Sequence, residues 1–85
     1  MKKIIITGGS GFIGSNLVNY LLKKKYFVIN IDKLSYSANK YNLKKVNKKN
    51  YVFIKSDINN KKKIIQTLNK FKPFGIFNLA AETHV

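Results

Sequence analysis

Eighty-five residues without a cysteine exclude a disulfide framework and a thiolate metal centre, and the single His84 cannot build a metal cluster alone. The formal net charge is +14, a balance that raises nucleic acid or an anionic surface as partner. All 17 basic residues are lysine, however, and lysine is used alongside abundant asparagine and isoleucine. Arginine, the side chain best suited to forked phosphate and guanine contacts, is absent, so the charge is read as the mark of an A+T-rich genome and not of a nucleic-acid binder.

In chain order, Lys3-Ile4-Ile5-Ile6-Thr7 is a β-branched run without polar alternation, which suits a strand buried on both faces. The preceding Met1-Lys2-Lys3 and the three isoleucines imitate a signal peptide only faintly, because the apolar run stops at Thr7-Gly8-Gly9. No apolar run approaches the roughly 20 residues that span a bilayer, and a cytoplasmic protein is expected. From Phe12 the period turns helical, with Ile13, Leu17 and Leu21 four apart and Val18 and Leu22 beside them. Lys23, Lys24 and Lys25 close this helix at the end where positive charge complements the dipole. Phe27-Val28-Ile29-Asn30-Ile31 reads as a second strand ending at Asp32. Residues 33–50 are polar and predict a loop with a short helix. Tyr51-Val52-Phe53-Ile54 reads as a third strand, ending before Ser56-Asp57. Asn59 or Asn60 can cap a helix that turns Ile64, Ile65, Leu68 and Phe71 inward, although Lys61, Lys62 and Lys63 in its first turn oppose the dipole. Pro73 stops it, and Gly75-Ile76-Phe77-Asn78-Leu79 is a fourth strand.

Strands alternating with helices predict a doubly wound α/β parallel sheet of Rossmann type, with helices on both faces. Four strands make only part of such a sheet, and the length falls below the roughly 100–150 residues of a common domain. The chain is therefore expected to be the N-terminal part of a cofactor-binding domain, with the substrate domain elsewhere.

Between the first strand and helix lies Thr7-Gly8-Gly9-Ser10-Gly11-Phe12-Ile13-Gly14. It satisfies G-x-G-x-x-G through Gly9, Gly11 and Gly14, and G-x-x-G-x-x-G through Gly8, Gly11 and Gly14. One glycine lets the chain turn sharply out of the strand, a second lets backbone approach a pyrophosphate, and a third packs helix against strand. Amides at the helix start then face the phosphates. Asp32, at the end of the second strand, stands near the spacing at which a carboxylate takes the ribose hydroxyls and repels a 2′-phosphate, which favours NAD over NADP; Lys33 beside it weakens that preference. Asp57 and Ile58 lie past the third strand, placed to border adenine, with Asp57 as acceptor. Ala80 and Ala81 are small residues at the same edge, where a cofactor can lie against backbone.

Thr7 to Ser15, Asp32-Lys33-Leu34-Ser35-Tyr36 and Ala80-Ala81-Glu82-Thr83-His84-Val85 together resemble the extended short-chain dehydrogenase/reductases that act on nucleotide sugars, and among them the dTDP-glucose 4,6-dehydratase family. The resemblance covers the whole chain but only the opening part of those enzymes. It implies that Phe12 and Ile13 meet the pyrophosphate, that Asp32, Lys33, Leu34 and Ser35 surround the adenosine ribose, and that Asp57 and Ile58 hold adenine. It implies that Leu79, Ala80 and Ala81 flank the cofactor further along. Thr83, where the family usually has serine, would stand between nicotinamide ribose and sugar substrate. Ala38 replaces a usual glycine, while Glu82 and His84 match the motif without an assigned chemistry. The implied reaction is dehydration of a nucleotide sugar: hydride leaves sugar C4 for the cofactor, water is lost across C5 and C6, and the hydride returns to C6. A related epimerase or reductase, or a non-catalytic NAD-binding regulatory domain, shares the same loop. The resemblance also implies a homodimer for the complete protein.

The reaction needs a Tyr-x-x-x-Lys pair. Tyr20/Lys24, Tyr36/Lys40, Tyr41/Lys45 and Tyr51/Lys55 fit the spacing and are rejected, since lysine is frequent enough for chance matches. Tyr51 and Lys55 fall about 13 Å apart along a strand. No catalytic residue is assigned within the chain.

Overall fold

The computed structural model describes residues 1–9, 11–33 and 48–79. The elements are β1 (Lys3–Thr7), α1 (Phe12–Lys23), β2 (Phe27–Asp32), a 3₁₀ turn (Lys48–Asn50), β3 (Tyr51–Lys55), α2 (Lys61–Phe71) and β4 (Gly75–Asn78). The four strands form one parallel sheet in the order β3-β2-β1-β4. Ile4 pairs with Val28 on one side and Gly75 on the other, and Thr7 pairs with Ile31 and Asn78. The chain winds outward from β1 through β2 to β3, then crosses back to place β4 beside β1. That reversal of direction makes the crevice past the carboxyl ends of β1 and β4 the place where such sheets receive ligands.

The absence of polar alternation in β1 and β2 is explained by cover on both faces. On one face Ile4, Ile6 and Val28 pack with Val18 and Leu21 of α1, and Tyr51 and Tyr26 close the rim. On the other, Ile5, Ile29 and Ile31 meet Ile64, Leu68 and Phe71 of α2. The Phe27 and Phe71 rings stack at 6.1 Å between centroids. This is an incomplete Rossmann-type α/β fold with a helix on each face.

Several expectations are corrected. Ile13 is 73% exposed despite sharing the four-residue spacing of Leu17 and Leu21, because the buried line of α1 runs through Gly14, Val18 and Leu21, one step round the helix. Ile65 is 56% exposed, one step round α2 from the Ile64–Leu68 line that faces the sheet. β2 ends at Asp32 as expected, whereas β3 continues to Lys55 and β4 ends at Asn78. The ladder runs one bond further, since the Leu79 N–H donates to the Thr7 carbonyl at 2.9 Å. The helix expected within residues 33–50 lies largely outside the described residues. Of the two candidate caps, Asn60 is the cap of α2, its side-chain oxygen accepting from the Lys63 N–H at 3.1 Å.

Candidate functional site

The site is built on the turn between β1 and α1. Gly8 has φ of 80°, the left-handed region that glycine enters without strain. Its N–H donates to the Ile31 carbonyl at 2.8 Å, so the turn begins from the last rung of the sheet. A Cβ on Gly14 would strike the Gly8 carbonyl and the Gly9 backbone, so this glycine allows α1 to lean on the turn. A Cβ on Gly11 would meet only the Gly8 carbonyl, at 3.9 Å, among the described residues. The backbone at Gly11 thus borders open space at the mouth of the crevice. Of the two readings of the motif, Gly8, Gly11 and Gly14 carry the turn, the open approach and the close packing.

Gly9 has a different task. Its N–H donates to Asn30 Oδ1 at 2.9 Å in the interior, and a Cβ at Gly9 would fall on the Asn30 amide. Asn30 Nδ2 donates in turn to the Tyr51 hydroxyl at 3.0 Å. In the sequence Asn30 reads only as part of a strand. The available signal was an amide side chain among Val28, Ile29 and Ile31, since a polar group on a buried strand needs partners.

Gly11 is the N-cap of α1 and has no side chain to offer the first-turn amides. The first intrahelical bond runs from the Ser15 N–H to the Gly11 carbonyl at 2.8 Å, so the amides of residues 12–14 lack intrahelical acceptors, as in any helix. Donors and dipole at this end favour an anion. Phe12 opens the helix, and the exposed Ile13 stands in its first turn.

Asp32 ends β2 and is 7% exposed, with its carbonyl accepting from the Ser56 N–H at 2.9 Å. Strand alternation puts it on the same face of the sheet as Asn30, the face that holds the glycine turn. Lys33 next to it is exposed. Asp57 Oδ1 accepts from the Asn59 N–H at 2.8 Å, and its carbonyl from the Asn60 N–H at 2.9 Å, so Asp57 shapes the turn that leads into α2. Ile58 lines an apolar cavity of about 110 Å³ with Ile5, Ile31, Ile64 and Leu68 on the α2 face. Leu79 is held beside the glycine turn by its bond to Thr7. Thr7 Oγ1 also donates to Asn78 Oδ1 at 2.6 Å, fastening β4 to β1 at the crevice. The expectations for Leu34, Ser35, Ala38, Ala80, Ala81, Glu82, Thr83 and His84 lie outside the described residues. So do Tyr36/Lys40 and Tyr41/Lys45. Tyr20 and Lys24 lie at the end of α1 away from the glycine turn, with the Lys24 ammonium 5.6 Å from the Tyr20 ring centre. Tyr51 and Lys55 occupy opposite ends of β3.

A sequence profile described as GDP-mannose 4,6 dehydratase matches residues 5–85. The chain belongs to that family. The dTDP-glucose 4,6-dehydratase of Haemophilus influenzae is 48% identical over 100% of this chain and 26% of its own length. Among family-like structures, the dTDP-glucose 4,6-dehydratase of Bacillus anthracis, solved in complex with NAD, aligns with a TM-score of 0.85 at 40% identity, covering 96% of this chain and 27% of that one. The UDP-glucose 4-epimerase of Thermotoga maritima, solved with UDP-glucose, aligns at 0.80 with 34% identity over 95% of this chain and 25% of its own. The chain spans about a quarter of the length of the curated relatives it matches. Among the described residues, no helix is long and apolar enough to cross a membrane, and no three His, Cys, Asp or Glu side chains gather to hold a metal.

Proposed function

We propose that residues 1–85 form the N-terminal part of the NAD-binding domain of a nucleotide-sugar 4,6-dehydratase that acts on dTDP-glucose. The observation that carries the reading is the juxtaposition of an open glycine turn at a helix N-terminus with a carboxylate one strand away on the same sheet face. The first-turn amides of α1 grip the diphosphate, with Ile13 against it. Asp32, with Lys33 beside it, takes the adenosine ribose hydroxyls. Asp57 and Ile58 border adenine, and Leu79 lies along the cofactor towards Ala80, Ala81 and Thr83. When bound, NAD supplies the acceptor and donor of hydride for the sugar. The residues of this chain bind and orient it, and the proton-transfer groups come from the rest of the protein. The absence of cysteine and the lack of a membrane-crossing helix among the described residues support a cytoplasmic setting.

Titration of the full-length protein with NAD and NADP tests the cofactor assignment. NAD is expected to bind more tightly, and Asp32→Ala to weaken it about tenfold and narrow the difference, since a charged hydrogen bond is lost. Equal affinities in the unsubstituted protein, or no effect of Asp32→Ala, would overturn the assignment. Supplying dTDP-glucose and following formation of the 4-keto-6-deoxy product tests the reaction. An epimerase on the same scaffold is the second reading, supported by the similarity to the T. maritima enzyme. Conversion of UDP-glucose to its 4-epimer without loss of water would favour it. Binding to DNA that falls steeply with salt and ignores Asp32→Ala would instead revive the charge-driven reading.

A further inference from the structure

A phosphate-binding turn works through the N–H groups that it presents to the ligand. Here one is withdrawn. The Gly9 N–H points into the protein and donates to Asn30 Oδ1 at 2.9 Å, a bond between residues 21 positions apart. Asn30 is fully buried, and its amide fills the space a Gly9 side chain would need. A main-chain N–H can only donate, so the oxygen of Asn30 must face Gly9. Its NH₂ then faces the Tyr51 hydroxyl at 3.0 Å, and Tyr51 is itself seated against the α1-face core at the start of β3. The neighbouring Gly8 N–H is separately committed to the Ile31 carbonyl at 2.8 Å.

We propose that Asn30 is a positioning residue for the phosphate turn: with Tyr51 holding its amide in one orientation, it draws Gly9 inward and so turns the amides that follow Gly11 towards the diphosphate. Gly9 is required because Asn30 occupies its side-chain volume, and Gly8 because the chain reverses there. The motif's two overlapping glycine spacings thus describe two constraints: one imposed by the ligand's approach, the other by the asparagine beneath. The consequence for the ligand rests on the NAD-binding reading above, whereas the anchoring of Gly9 does not.

Asn30→Leu has the same branched shape without hydrogen-bonding atoms, and Tyr51→Phe removes only the hydroxyl. Both are made in the full-length protein. Amide hydrogen exchange is read at Gly9, with Gly8 as internal reference, and affinities are measured for ADP and for adenosine, which has no phosphate. In Asn30→Leu the Gly9 amide is expected to exchange faster while Gly8 stays protected. ADP affinity is expected to fall about tenfold, and adenosine affinity to change much less. Tyr51→Phe is expected to act in the same direction by roughly threefold, and decides the matter if Asn30→Leu does not fold. Unchanged Gly9 exchange in the variants, or equal losses for ADP and adenosine, would overturn the proposal. A protein that binds neither nucleotide would sink the NAD reading, while the exchange result still decides whether Asn30 anchors the turn.

Discussion

At the scale of single residues, the three glycines Gly8, Gly11 and Gly14 look alike in the sequence and differ in the structure. Gly14 has no room for a methyl group, whereas Gly11, with φ of −75° and ψ of 177°, has both room and a backbone any residue adopts. Gly14→Ala is therefore expected to destabilise the protein by about 2 kcal/mol or more through overpacking against backbone. Gly11→Ala should change stability by less than about 1 kcal/mol, yet its methyl group projects into the space assigned to the diphosphate. Thermal unfolding together with NAD titration separates the two: a Gly11→Ala protein that binds NAD normally would contradict the placement of the ligand. Asp57 is open to a similar separation. Its carboxylate accepts from the Asn59 N–H in a turn that an asparagine oxygen serves equally well. Asp57→Asn should leave the unfolding temperature nearly unchanged, and any loss of NAD affinity then reports on adenine.

At the scale of elements, both helices are legible from period, and in each one apolar residue, Ile13 or Ile65, faces solvent. The spacing of Ile13 with Leu17 and Leu21 is correct as geometry, but the buried line of α1 runs through Gly14, Val18 and Leu21, and Ile13 falls beside it. Ile65 sits one step from the Ile64–Leu68 line of α2 that faces the sheet, and adjacency in sequence is a turn of about 100° around the axis. Boundaries were sharper where a side chain bonds to backbone. Asn60 caps α2, with the Thr67 hydroxyl donating to the Lys63 carbonyl at 2.8 Å one turn on. Asn60→Ala is expected to cost about 1 kcal/mol in thermal or chemical unfolding. The exposed Lys62 in the first turn opposes the helix dipole, and Lys62→Glu should raise stability by about 0.5 kcal/mol at low salt, with the gain fading as salt is added.

For the molecule as a whole, charge and surface follow from different causes. A net charge of +14 over 85 residues is strongly self-repelling. Added salt should screen that repulsion. On β4, Ile76, Phe77 and the following Leu79 are exposed, an apolar edge quite unlike the covered β1 and β2. From the sequence alone came the alternation of strands and helices, the double-sided burial of β1 and β2, the glycine turn and the trailing Asp32. Those are local matters: the period of apolar residues, the conformational freedom of glycine and the spacing from turn to carboxylate are all written along the chain. Tertiary structure decided the strand order with β4 beside β1, the separate duties of neighbouring glycines, and the pairing of Gly9 with Asn30 and Tyr51. Those depend on residues brought together by a crossover and on volumes shared between strands, and no spacing along a single segment encodes either.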